Sequence, residues 1–104
     1  MKASAVVLSY TAVADILEQA DWYRQQSDSR LAQRWEKSVT STLLRIVENP
    51  LAGTLCRFKS KELSDVRRLP VDGFRKHLIF YRFKTKRLLL LRVVHGARDL
   101  ESLF

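Results

Sequence analysis

Two histidines, His77 and His95, a single cysteine, Cys56, and eleven carboxylates are the side chains of this 104-residue chain that could move a proton or hold a metal. Their intervals form no metal-ligand pattern. The glycines Gly53, Gly73 and Gly96 are too scattered for a phosphate-cradling loop, so no metal or cofactor is expected. The one catalytic reading to weigh for what remains is attack of a hydroxyl on a phosphate ester. That reaction needs a base for the hydroxyl proton, cations to hold the phosphate as charge builds, and a donor for the leaving oxygen. His95 and Arg98 are the nearest candidates, with Arg92, Arg67 and Lys76 as phosphate contacts from neighbouring strands. A plainer role exists for each. A lone histidine at a strand end can be a hydrogen-bonded structural residue, its unperturbed pKa near 6.5 permitting either use. Arg98 can pair with or help cap Asp99. Asp72 suits a turn better than acid chemistry. His77 alternates with its neighbours along a strand, facing helices or solvent, and receives no role.

The elements that would position these residues follow from periodicity. Apolar runs at 66–71, 78–83 and 88–94 are rich in β-branched and aromatic residues, separated by Asp72-Gly73 and by Lys84-Thr85-Lys86, as in a strand meander. Asp-Gly tolerates the positive φ of a tight hairpin turn, which makes the first two strands antiparallel neighbours. The run of leucines at 88–91 leaves no polar face, so that strand should be covered by helices on one side and by something else on the other. Upstream, Ser4–Leu8 is a brief strand that must join the later sheet. Ser9 or Thr11 caps a helix whose apolar stripe is Val13, Ile16, Leu17, Ala20 and Tyr23, with Asp15 favoured by the helix dipole. Ser27-Asp28-Ser29 ends it. A second helix runs from Arg30 to Glu48 on Leu31, Ala32, Trp35, Val39, Leu43, Ile46 and Val47, and stops at Asn49-Pro50. Two amphipathic helices joined by a short break form an antiparallel hairpin whose only available partner surface is the sheet. Trp22 and Trp35 are expected as core or rim aromatics. Residues 51–64 read as a long loop with a possible helical turn, and residues 99–104 as one helical turn capped by Asp99. The expected architecture is one α+β domain over residues 1–104, in the order β-α-α-β-β-β, with the helical hairpin on one face of a twisted antiparallel sheet.

Charge is unevenly placed. Residues 1–56 hold six Lys and Arg against six acids, residues 57–92 twelve against three, and residues 93–104 one against two. The positive field therefore belongs to the sheet half, which implies anionic partners: nucleic acid, or an acidic protein segment covering that face. One cysteine excludes an intrachain disulfide and is compatible with a reducing cytosol. Ala5-Val6-Val7-Leu8 is too short for a signal-peptide core or a membrane span, so a soluble cytoplasmic protein with no membrane partner is expected.

Gly73-Phe74-Arg75-Lys76-His77-Leu78-Ile79-Phe80-Tyr81-Arg82, followed by Leu91-Arg92-Val93-Val94-His95-Gly96-Ala97-Arg98-Asp99-Leu100, resembles the C-terminal half of the ParE toxins, within the RelE/ParE superfamily of bacterial toxin-antitoxin systems. Leu8-Ser9, Ala12, Asp15, Pro50 and Gly53 extend the resemblance over nearly the whole chain. It implies a toxin neutralised by a cognate antitoxin that wraps it with an extended and helical segment. In this superfamily RelE-like members are ribosome-dependent mRNA endonucleases, whereas ParE-like members poison DNA gyrase by protein contact and need no catalytic constellation. The terminal Leu100-Glu101-Ser102-Leu103-Phe104 lacks the tyrosine a RelE-like site would often place there. The resemblance thus implies a gyrase poison with no catalytic residue, and DNA as a partner met through the antitoxin or the gyrase complex. Candidate contacts for target or antitoxin are Arg67, Arg68, Arg75, Lys76, Arg82, Arg92, His95 and Arg98. The alternatives are the endonuclease using His95 and Arg98, and a non-toxic nucleic-acid-binding module. The last is disfavoured because the aromatics are placed as strand core and not as a stacking platform.

Overall fold

The computed structural model describes residues 1–96 and 100–104. Strand β1 (Ala5–Leu8) leads into helices α1 (Tyr10–Gln26) and α2 (Ser29–Glu48). Strands β2 (Thr54–Leu55), β3 (Arg67–Val71), β4 (Phe74–Lys84) and β5 (Arg87–His95) follow, in the sheet order β1-β5-β4-β3-β2. Single 3₁₀ turns occupy Lys61–Leu63 and Glu101–Leu103. The expected α+β arrangement is present with two differences. β1 pairs parallel to β5, Ala5 opposite Arg87 through Leu8 opposite Leu90, so the sheet is mixed and not wholly antiparallel. The 51–64 segment also contributes the two-residue edge strand β2, antiparallel to β3.

Local chemistry fixes the element ends. The Ser9 hydroxyl accepts from the Ala12 amide at the start of α1 and donates to the Leu91 carbonyl, tying the helix entry to β5. Asp28 caps α2 by accepting from the Leu31 amide. Gly73 takes φ +77° in the β3–β4 turn, as a two-residue Asp-Gly connection requires. The β4–β5 turn places Thr85 and Lys86 at φ +50° and +61°, which side-chain-bearing residues rarely adopt.

Two apolar layers flank the sheet. Ala12, Ala20, Ala32, Trp35, Val39 and Ile46 of the helices meet Val71, Ile79, Tyr81, Leu88, Leu90 and Val93 of the sheet. The α1 stripe differs from expectation: Ala12, Ile16, Ala20 and Tyr23 face inward while Val13 and Leu17 are exposed. Small residues at positions 12 and 20 let α1 approach the sheet closely, a choice that weighting by hydrophobicity misses. On the opposite face Cys56, Val66, Phe80 and Val94 are packed by Phe58, Leu63, Leu78, Leu91, Leu100 and Leu103. The cover that the leucine run requires is thus the 56–66 segment plus the C-terminal turn, fastened where the Glu101 carboxylate accepts from the Lys59 and Ser60 amides at 2.8 and 3.1 Å. That turn begins at Leu100, and the expected capping residue Asp99 lies outside the described residues.

Candidate functional site

Three of the candidate guanidinium groups are absorbed by the fold. Arg67 donates to the carbonyls of Gly53 at 2.8 Å and Leu51 at 3.4 Å, holding the segment after α2 against β3. Arg82 donates to the Glu62 carbonyl at 2.6 Å and to the Asp65 carboxylate at 2.8 Å. Arg92 forks onto Asp15 through Nε at 2.8 Å and Nη2 at 2.9 Å, and reaches the Leu103 carbonyl at 3.3 Å. Asp15 also accepts from the Val93 amide at 2.9 Å. β1 ends opposite Leu90, so the Val93 amide lies on the stretch of β5 edge beyond it, and the Asp15 carboxylate takes the place of a neighbouring strand there. Its role is therefore long-range, and α1 has no acidic residue in its first turn for the dipole to favour.

Arg68, Arg75 and Lys76 remain exposed, while Arg98 lies outside the described residues. Arg68 stands opposite Phe80, on the face away from the helices. Arg75 and Lys76 lie elsewhere because of an irregularity in β4. Pro70 pairs with Leu78 but Val71 pairs with Phe74, so Arg75, Lys76 and His77 are extra residues with no partner on β3. Bulges re-aim side chains that strict alternation would send to opposite faces. Here Arg75, Lys76 and His77 line one cleft of about 300 Å³ with Tyr23, Phe74 and His95.

His77 and His95 are register partners across β4 and β5. The adjacent Gly96 amide donates to the Lys76 carbonyl at 2.8 Å, which makes the histidines a non-hydrogen-bonded pair, the kind whose side chains sit closest. Their rings meet edge to face at 5.4 Å, and His77 also packs edge to face on Trp35 at 4.9 Å. Burial, reinforced by His95, pushes the His77 pKa below the ordinary imidazole value, so the ring is held neutral. The same two rings border a second groove of about 510 Å³ between α1 and β5, lined by Asp15, Glu18, Gln19, Trp22 and Arg92. Trp22 is 54% exposed at its rim, whereas Trp35 is fully buried. The arrangement supplies a neutral imidazole at His77 and exposed basic residues able to bind an anion.

His77, Tyr23 and Glu18 were not among the candidate residues. A histidine between Lys76 and an apolar strand was a visible signal, but its facing depended on the bulge. Among the described residues no three His, Cys, Asp or Glu side chains are grouped to hold a metal ion. Among them, too, no helix is long and apolar enough to cross a membrane. The Cys56 thiol is buried, and burial raises its pKa although nearby Arg68 opposes this.

A family model for the ParE toxin of the type II toxin-antitoxin system parDE matches residues 6–100. No curated protein matches the chain by sequence. Among solved structures, a chromosomal ParDE toxin-antitoxin system from P. aeruginosa superposes with a TM-score of 0.73 at 19% identity, over 89% of this chain and 96% of that one. A YoeB/ParE toxin from Agrobacterium tumefaciens superposes at 0.54 with 15% identity, over 91% of this chain and 98% of that one. At such identities these structures share the fold.

Proposed function

The chain belongs to the ParE toxin family of type II toxin-antitoxin systems, and from that premise we propose that it poisons DNA gyrase by protein contact in the cytoplasm, without catalysis, until a cognate antitoxin neutralises it. The observation that carries the non-catalytic part is the commitment of Arg67, Arg82 and Arg92 to internal partners. A phosphate clamp on the sheet would need those guanidinium groups free. The face away from the helices is also closed by apolar rings, Phe104 lying 5.6 Å from Phe80 and 5.7 Å from Phe58, where a nuclease would need an open polar groove.

An antitoxin has an apolar surface to cover. Val6, Val7 and Leu8 on edge strand β1 are exposed, as are Tyr10, Val13 and Leu17 on the adjoining flank of α1. A free strand edge beside an apolar helical stripe suits a partner that adds an extended segment and an amphipathic helix. The basic sheet half favours an acidic partner.

The deciding experiment incubates purified protein with gyrase and supercoiled plasmid and measures covalent gyrase-DNA complexes. Accumulation that the co-purified antitoxin prevents is expected; none over a wide protein excess would refute the proposal. Induction of the chain alone should also halt growth. One observation favours a second reading, ribosome-dependent mRNA cleavage: the His77–His95 pair stands beside Arg75 and Lys76. Translating ribosomes would then yield discrete cleavage ends that vanish in His77→Gln or His95→Gln, and intact message would dispose of it.

A further inference from the structure

The backbone of the bulged Arg75-Lys76-His77 tripeptide pairs with β5, and His77 packs on Trp35, but the Arg75 and Lys76 side chains have no part in that packing. The tripeptide makes no ladder with β3, and among the described residues no carboxylate pairs with Arg75 or Lys76. The nearby acids are largely engaged elsewhere: Asp72 is held by Arg45 at 2.9 Å, and Asp15 by Arg92. Glu18 stands in the adjoining groove. Two exposed basic residues and two histidines therefore border one cleft with Tyr23 and Phe74, with room for a phosphate group and part of its sugar.

We propose that the cleft formed by Arg75, Lys76, His77 and His95 binds a backbone phosphate of duplex DNA. Phosphate is the chemistry these groups share: a planar guanidinium fork, a mobile ammonium, and imidazoles that add donors when protonated. Naming DNA as its source rests on the proposed gyrase reading, in which the protein meets an enzyme already bound to DNA. The contact reads no base sequence, since phosphate contacts position without specifying. It fastens the toxin to the duplex next to the enzyme it poisons. Protonation of the histidines strengthens the contact. The charged and titratable groups facing them are Asp15, Glu18 and Tyr23 from α1, Arg75 and Lys76 from β4, and Arg92 from β5. α2 contributes Trp35, packed against His77.

The test is fluorescence anisotropy of the full chain, freed from antitoxin, with a short labelled duplex of arbitrary sequence and no gyrase present. Binding should weaken with salt, and Arg75→Ala/Lys76→Ala should reduce the slope of log affinity against log salt by about two. Lys84→Ala/Arg87→Ala, at the far end of the same strands, should leave the slope unchanged. All four positions are exposed, so the variants keep the fold, which melting temperatures check. Binding should tighten as pH falls through the histidine range, and His77→Gln/His95→Gln should flatten that rise. Equal slope losses in the two double variants, or none in either, would overturn the proposal. Displacement by inorganic phosphate at low millimolar levels without any salt-dependent duplex binding would assign the cleft to a free phosphate and overturn it as well. So would preference for an RNA duplex. A chain that traps gyrase yet ignores the free duplex keeps the proposed function and removes the cleft; one that binds the duplex through the cleft without trapping gyrase does the reverse.

Discussion

Asp15→Ala should be among the most destabilising single changes outside the central core. The carboxylate accepts three hydrogen bonds, from Arg92 Nε, Arg92 Nη2 and the Val93 amide, at 2.8 to 2.9 Å. The Asp15 and Arg92 side chains retain only 10% and 19% of their exposure, so removing the acid strands a guanidinium and a backbone donor in a poorly solvated place. Breaking a buried pair costs about 3–5 kcal/mol. Residual access to water lowers this, and about 2–4 kcal/mol is expected. Against a total stability of roughly 5–15 kcal/mol that is a large fraction. At about 4–8 °C per kcal/mol for a chain near this size, melting should fall by roughly 8–30 °C.

Urea unfolding followed by tryptophan fluorescence gives the free energy, and hydrogen exchange at the Val93 amide gives the local effect. Asp15→Asn should cost less, because a side-chain oxygen remains for Val93 while the charge attraction is lost. Adding Arg92→Leu to Asp15→Ala should recover part of the loss, since the stranded charge goes with it. Were Asp15→Ala to stay within about 0.5 kcal/mol of the parent, as an ordinary surface change does, the assignment of Asp15 as the lateral partner of β5 would be wrong. Strict additivity in the double variant would contradict the ion pair itself.

Three further outcomes follow from single contacts. Tyr81→Phe removes the hydroxyl that accepts from the Gly53 amide at 2.8 Å and donates to the Pro50 carbonyl at 2.9 Å; two buried backbone groups lose their partner, and urea unfolding should show a loss of about 1–3 kcal/mol. Replacing Thr85-Lys86 with Asn-Gly relieves two positive-φ residues in a two-residue turn and should raise stability by about 1 kcal/mol, seen as a higher melting temperature. The third concerns pH. The His77 pKa is lowered mainly by burial, so the unfolded chain binds its proton more readily than the folded one. Stability is therefore full above about pH 6.5 and falls as pH drops from there toward the folded value, below which it levels. Comparison with His77→Gln over that range should isolate the effect; identical pH profiles would refute it.

The architecture was readable because its signals are local. Asp72-Gly73 specified a hairpin, Asn49-Pro50 a helix end, and the 88–91 leucines an interior strand covered on both sides. The parallel docking of β1 had no local signal, since four residues encode neither a partner nor a direction. Those are settled by where the helical hairpin returns the chain and by the Ser4 and Ser9 amides donating to the Lys86 and Leu90 carbonyls. Charge class, too, was legible, but its division was not. Arg67, Arg68, Arg82 and Arg92 look alike along a sequence, and three of them serve the fold only because a carbonyl or carboxylate arrives from elsewhere, for Arg92 from 77 positions away.

The cleft was hidden for a different reason, which also bears on how it works. A period-two reading of β4 sends Arg75 and His77 to one face and Lys76 to the other, so no site forms from that tripeptide. The three residues without a β3 partner between Val71–Phe74 and Pro70–Leu78 break that alternation, and all three border the cleft. Nothing in the residue types announces the break, because Arg, Lys and His are not bulge formers in the way glycine is. It is imposed by the tight Asp72-Gly73 turn at one end, with the Asp72 amide donating to Thr42 Oγ1 of α2 at 3.0 Å, and by pairing of β4 with β5 on the other side. The turn is thus tied to the helical layer while the rest of β4 keeps its register with β5, and the surplus residues are pushed out at the junction. A substitution that weakened the Thr42 anchor, such as Thr42→Val, should therefore loosen the cleft without touching any residue that lines it. Reduced duplex affinity with an unchanged gyrase-independent fold signal is the expected result; unaltered affinity would mean that the bulge is set by β4 and β5 alone.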